Sequence, residues 1–400
     1  MLSEPLAFAY AGWFWGTVLI IFFGVVTCYT AKLLTREILL DPRLRSYTDI
    51  GRKAFGPKSS LLTNSLFCLE LFSVSVVLVT LAADSLHGVW PAYSANTYKI
   101  FSLLVLVPTV FMPLSILSFT SLLGISSTLL IIAVIFIDGF SKPDSPGSFW
   151  SPARTSLSPG TPGEVGVAFG LLMAGVGVFA FVASARTYLF RQFSGHVVIP
   201  SLARDMIDPS QFNHMANWAF TIATFIYAII GYAGYLMFGS SVSDEISKDL
   251  LATPGYNVRL NQLAMWLLVV TPLSKFALST RPLNIVLEYL LGLESITRPN
   301  SVEDGKGTIS PKGHQLRNRI IVVIERVMVP VMSIVVSIAV PQFSSLMAFL
   351  GSFSAFVICV IGPISAKIAM TGRCQWHDAV LLGISTLMAV WGTFSAFWTG

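Results

Sequence analysis

Apolar residues do not alternate with polar ones along this chain; they come in long blocks with short polar interruptions. The blocks cover residues 2–11, 13–34, 61–86, 100–119, 122–140, 165–184, 218–238, 260–278, 320–340, 346–368 and 379–397. A helix of a soluble protein would show one apolar stripe, and a half-buried strand would alternate. Blocks of about 20 residues that are apolar on every face match the hydrocarbon thickness of a bilayer. The pattern predicts an all-α polytopic membrane protein with eleven helices. The first block is an exception, since a helix of that length rises about 15 Å, half of a full crossing. Only Gly12 separates it from the second block, so a tight turn is expected there. A signal peptide fits poorly, because Glu4 and no basic residue open the chain.

Two polar stretches are predicted as loops. Residues 141–163 are rich in Ser, Pro and Gly, and residues 295–312 combine those with mixed charge, as a flexible linker does. Lys and Arg set the orientation by their loop asymmetry. With a cytoplasmic start, 16 of them fall in cytoplasmic loops and 5 (Lys99, Lys142, Arg154, Lys248, Arg259) in the opposite ones, which favours that start. The linker at 295–312 is then cytoplasmic.

Composition narrows the function classes. The chain of 400 residues is 54 % hydrophobic and 11 % charged, with mean hydropathy +0.73, which excludes disorder and an ordinary soluble enzyme. A net charge of +5 spread over loops gives no nucleic-acid face. The four cysteines have no metal spacing, the five histidines are scattered, and no G-x-S-x-G, H-E-x-x-H or P-loop occurs. Neither a cofactor nor a metal is expected, and no enzymatic activity. A membrane-embedded enzyme is the alternative from another class, with no catalytic constellation to support it.

Ionisable residues inside apolar blocks carry the candidate chemistry, because they are costly in hydrocarbon. Glu70 lies about nine residues into the third block, Lys275 in the last third of the eighth, and Glu4 in the first. His196 sits in the tract Phe193-Ser194-Gly195-His196 ahead of Pro200. Snorkelling to the interface is an equal reading for Lys275, and Glu325 with Arg326 reads as a structural pair. Helix breakers at corresponding places in two halves point to a secondary transporter's binding site. Pro5 ahead of Gly12, and Ser194-Gly195 ahead of Pro200, form such a pair. They imply a five-plus-five inverted repeat, helices 1–5 over residues 1–140 and helices 6–10 over 165–368, with an eleventh helix at 379–397. The breaks make Ser3, Glu4, Ser194, Gly195 and His196 the candidate substrate-binding residues. Glu70, His196 and Lys275 are the candidates for proton coupling.

Several tracts taken in order resemble the amino acid/auxin permease family. They are Pro5-Leu6-Ala7 with Tyr10-Ala11-Gly12-Trp13, Tyr47-Thr48-Asp49-Ile50-Gly51 with Ala54-Phe55-Gly56, and Tyr235-Leu236-Met237-Phe238-Gly239. Pro272-Leu273-Ser274-Lys275 with Arg281-Pro282, and Met347-Ala348-Phe349-Leu350-Gly351-Ser352, extend the series. Asp244-Glu245-Ile246 followed by Lys248-Asp249-Leu250-Leu251 is most similar to the fungal vacuolar amino acid transporters, relatives of the vesicular inhibitory amino acid transporters. The resemblance implies the amino acid–polyamine–organocation fold. It also implies a secondary transporter of neutral amino acids, exchanging them against protons across the vacuolar membrane. Its partners would be a neutral amino acid, protons and the lipid bilayer, without nucleic acid or an obligate protein partner. A plasma-membrane permease of the same family is the alternative.

Two departures from the family pattern are expected to matter. The chain begins about half a helix later than the family's first helix, and Glu4 stands where many relatives carry an apolar residue. Residues 176–192, with Arg186 and Arg191, intervene where relatives run almost directly into the Ser-Gly-His tract. Their 17 codons, 51 nucleotides, suit a retained intron, so this tract reads as an aberrant insertion, with a genuine insertion as the alternative; a non-functional gene-model product is then a further alternative for the chain as a whole.

Overall fold

The computed structural model describes residues 1–41, 43–44, 46–112, 114–179, 196, 199, 203, 206, 208–291 and 312–398. Among them every regular element is helical. Eight helices are long and apolar enough to cross a membrane, and the segments Ala95–Val110 and Pro162–Gly175 are shorter apolar helices. The linker at 295–312 falls outside the described residues except for Lys312, as do Ser194, Gly195 and residues 180–192 of the intervening tract.

Helix α1 (Glu4–Leu40) is two helices joined at Gly12, whose φ of 72° and ψ of 169° belong to a region that only glycine enters freely. Beyond this break the chain turns back on itself: the ring of Phe8 fills the space a Cβ on Gly16 would need. The expected turn between the first two blocks is therefore present. It is held from outside by loop 141–163, with Trp13 N–H bonding the Ser156 carbonyl at 3.1 Å and Gly160 N–H the Tyr10 carbonyl at 2.8 Å.

The short helix α2 (Tyr47–Phe55) begins with a reciprocal cap, Ser46 accepting from Asp49 N–H and Asp49 from Ser46 N–H. Helix α3 (Ser59–Val89) follows the third block closely. The fourth block does not form one span. It divides into α4 (Ala95–Phe101), α5 (Leu103–Val110) and the start of α6 (Leu114–Ser141). Hydropathy does not register the cause: α5 closes on tight bonds from Phe111 N–H to Pro108 and Met112 N–H to Thr109, at 3.2 and 3.1 Å.

Helix α7 (Pro162–Phe179) is followed by α8 (Phe212–Phe238), the short α9 (Ile246–Ala252), α10 (Val258–Leu290) and α11 (Lys312–Ala339). The tenth block is α12 (Phe343–Phe349), two π-helical stretches at Leu350–Ala355 and Val357–Ile361, and α13 (Gly362–Thr371). Helix α14 (Trp376–Trp398) ends the described chain.

Packing concentrates where side chains are small, as expected when lipid is as apolar as the helices and close van der Waals contact drives association. Gly170 of α7 and Gly351 of the first π stretch press backbone against backbone. Helices α1 and α8 run antiparallel, with Trp13 stacked on Tyr232 at 5.3 Å, Thr17 bonded to Tyr232 at 2.6 Å, and Thr224 filling the space beside Gly24. Ladders of hydroxyls join α3 to α11: Ser75 to Ser333 at 2.7 Å and Thr80 to Ser337 at 2.8 Å.

Candidate functional site

The half-helix at the start of α1 brings Glu4 into the interior, where it is 1 % exposed. Its Oε1 lies in the space that a Cβ on Gly175 of α7 would occupy, and its own Cβ faces Gly231 of α8. Gly231 and Gly234, one turn apart, let Phe8 and Pro5 approach the α8 backbone. Tyr227 borders the same point, 3.4 Å from a Cβ built on Gly175. The α-ammonium of Met1 is 3.4 Å from Oε1, and Oε2 has no hydrogen-bond partner among the described residues. Gly175 is the last residue before the tract 176–192, so the start of the first half-helix packs against α7 just ahead of that tract.

Ser3 is turned elsewhere. Its hydroxyl donates to the Asp244 carbonyl at 2.6 Å, and Ile246 N–H bonds the Leu2 carbonyl at 3.0 Å, tying the half-helix to the start of α9.

His196 is buried against α1, its ring beside Phe220 of α8. Nε2 lies 3.1 Å from the Thr27 carbonyl and 3.0 Å from the Thr30 hydroxyl. A carbonyl can only accept, so Nε2 carries the hydrogen and the lone pair falls on Nδ1, which has no partner among the described residues. Glu70, 4 % exposed on α3, is within electrostatic reach of the Tyr47 hydroxyl and the Cys359 thiol, and the His196 backbone bonds that same thiol. Cys359 thus feels the charge of Glu70 and bonds the His196 backbone; it lies in the second π stretch, a type of helix distortion frequent at functional sites. An apolar cavity of about 200 Å³ lies beside Tyr47, lined also by Thr63, Ile358 and Gly362. Lys275 joins neither group; its ammonium lies over Gly124 of α6, 2.6 Å from where a Cβ would stand.

Charged networks tie helix ends together. Lys248 reaches Asp84 of α3, Asp244 and Glu245 at 2.9, 3.0 and 3.5 Å. Burial pushes the Glu245 carboxyl up to about 8, and Lys248 beside it only partly offsets this. Burial draws the Lys248 ammonium downward, but the surrounding carboxylates outweigh it and hold its pKa above the usual lysine value. Lys367 pairs with Asp378 at 2.8 Å, and Tyr29 donates to the same carboxylate at 3.0 Å. Arg326 does not pair with its neighbour Glu325; its guanidinium bonds Glu288 of α10 at 3.0 and 2.8 Å, because the facing helix offers the better geometry.

The family described as "Transmembrane amino acid transporter protein" matches residues 1–399. The chain belongs to this family of transporters. Its relatives include "Amino acid transporter AVT1D" of Arabidopsis thaliana, 28 % identical over 91 % of this chain and 59 % of that protein. "Amino acid transporter AVT1E" of the same plant is 26 % identical, covering 99 % and 68 %. "Vesicular inhibitory amino acid transporter" of Xenopus tropicalis is 25 % identical, covering 98 % and 72 %. The chain thus spans a little under two thirds of the first of these relatives. In fold it is similar to Mhp1 in an inward-facing conformation, with TM-score 0.53 and 15 % identity over 100 % of this chain and 86 % of that one. The protein is a multi-pass integral membrane protein.

Sequence reasoning missed Tyr227, Gly231, Thr27, Thr30 and Cys359 as neighbours of the candidates. The spacing Gly231-x-x-Gly234, two small residues on one helix face, is a legible signal of close approach. Nothing local marks Cys359.

Proposed function

We propose that this chain is a secondary active transporter of neutral amino acids, working by proton antiport at the vacuolar membrane. The observation that carries the reading is the buried contact of Glu4, at the start of the broken first helix, with Gly175 of α7. Half-helix ends meeting inside a membrane protein offer uncommitted backbone groups to a zwitterion. Glu70 and His196 are the groups proposed to exchange the proton, since both are buried and titratable. Lys275 is retained as a third coupling candidate, and Ser3, Ser194 and Gly195 as substrate-binding ones.

The eleven-helix, five-plus-five repeat with a cytoplasmic start belongs to this proposal. Eight spans among the described residues and the shorter apolar helices Ala95–Val110 and Pro162–Gly175 support this reading. The tract 176–192, immediately following Gly175, is proposed as an insertion absent from the transporting form. Sequencing the cDNA across Gly175 and Phe193 tests that part, and a transcript population uniformly carrying the tract would remove it.

The function is tested by uptake of labelled amino acids into vacuolar vesicles, with and without a proton gradient, for this chain and a version lacking 176–192. Gradient-dependent uptake is expected of the version lacking the tract. Uptake indifferent to the gradient would count against antiport, and uptake confined to plasma-membrane vesicles would move the protein to that membrane.

A further inference from the structure

Helices α1 and α8 leave between them a groove of about 610 Å³. It follows α1 from Ile20 through Gly24 to Lys32, and α8 from Asn217 through Thr224 to Tyr232. Its lining is mainly apolar, and Ile21, Val25 and Phe225 along it are exposed, as residues facing lipid are. From Ile20 to Lys32 it runs for about 18 Å at 1.5 Å per residue. That is close to the depth of one leaflet in a hydrocarbon core about 30 Å thick. At Lys32 the character changes. The Lys32 ammonium donates to the amide oxygen of Asn217, one helix to the other, and a second cavity of about 520 Å³ opens. Tyr29 and Lys32 line both, so the two are continuous. Around the second cavity stand Lys32, Arg36 and Lys367, with Ser210, Asn213 and the carboxylate of Glu37. Lys367 is committed to Asp378 at 2.8 Å, so the charge offered to a ligand comes from Lys32 and the exposed Arg36.

An apolar groove one leaflet deep that ends in a cationic cavity matches the two parts of one molecule, an acyl chain and a phosphate at its head. We propose that α1 and α8 hold an anionic phospholipid: one acyl chain lies in the groove between Ile20 and Lys32, and Lys32 and Arg36 receive the phosphate. Basic pockets between helices on the cytoplasmic side bind such headgroups, since that leaflet carries the anionic lipids. The cavity lies at the end of α1 that leads into loop 41–58, one of the basic loops that the charge asymmetry favours as cytoplasmic. The inference rests on that orientation and not on the transported substrate. A lipid that touches both helices stabilises the folded chain by mass action.

The test follows thermal unfolding of the full chain in detergent with added dioleoyl phosphatidate, against dioleoyl phosphatidylcholine and inorganic phosphate. Phosphatidate is expected to raise the unfolding temperature saturably, and the other two to leave it unchanged. Lys32→Gln combined with Arg36→Gln weakens the apparent affinity about 25-fold, roughly fivefold for each cation. Lys53→Gln, exposed on α2 and outside the cavity, leaves it unchanged. Thr221→Trp fills the groove without altering charge, and weakens it at least about tenfold, the loss of about two buried methylenes. An equal shift with phosphatidylcholine or with inorganic phosphate overturns the inference. So does an affinity unchanged in either the cation variant or the groove variant. If a variant is not monodisperse, phosphatidate with a photoactivatable acyl chain decides on the wild type. Crosslinks mapped by mass spectrometry to residues 20–32 and 217–232 support the site, and crosslinks confined to other helices overturn it.

Discussion

The carboxylate of Glu4 occupies the place where a side chain on Gly175 would begin. One residue opens the first half-helix and the other lies far along the chain in α7. Their contact packs the start of the first half-helix against α7.

A methyl group at position 175 must therefore displace Glu4. Gly175→Ala is expected to lower amino acid counterflow by about 10²-fold, the cost of misplacing a positioned group by about an ångström. The stability loss should stay within the ~1–3 kcal/mol typical of overpacking. Counterflow in liposomes against the amount of monodisperse protein separates the two effects, and unchanged counterflow would show that Glu4 does not face the substrate.

Gly12 offers a test of the hairpin at the start of the chain. Its positive φ is strained for any residue with a Cβ, and an added Cβ would meet the Ser158 and Leu157 carbonyl oxygens at 2.5 and 2.8 Å. Gly12→Ala should cost ~1–3 kcal/mol from backbone strain alone. Gly383, exposed on α14 with open space around it, is the control: Gly383→Ala should be neutral or stabilising by up to about 1 kcal/mol. Thermal unfolding in detergent reads both, and equal shifts would contradict the turn.

Glu245 predicts a pH dependence of stability. Its carboxyl is raised to about 8, so the folded state holds that proton more tightly than the unfolded state does. Its favourable contribution is complete below the ordinary glutamate value and is lost as pH rises toward about 8. Glu245→Gln keeps the shape and removes the titration. In thermal unfolding followed from about pH 5 to about pH 8.5, the wild type should lose stability relative to the variant as pH rises. Parallel curves would mean that Glu245 is ionised throughout.

Glu70→Gln separates coupling from binding. If Glu70 carries the proton, gradient-driven uptake should disappear while exchange of labelled for unlabelled substrate persists. Driven uptake at the wild-type level would return Glu70 to a purely structural position beside Tyr47 and Cys359.

The membrane class, most of the spans and the break at Gly12 were legible because they depend on local properties. Hydropathy over about 20 residues reports burial in lipid, and a glycine between two apolar blocks reports a turn. The fourth block was misjudged for the same reason, since its average is apolar while Pro108 and the tight closing bonds at Phe111 and Met112 divide it. Arg326 was read with its sequence neighbour, whereas its partner is on the helix opposite.

The site divides along the same line. The sequence by itself determined that Glu4, Glu70, His196 and Lys275 are ionisable groups in apolar surroundings, and that two helices carry breakers. The folded arrangement was needed to show that Glu4 meets Gly175, that His196 bonds the α1 backbone at Thr27, and that Lys275 lies over Gly124. Polarity and helix-breaking are properties of single residues and short windows. Which helix faces which follows from close packing of glycine and hydroxyl faces across the bundle, and no local pattern encodes it.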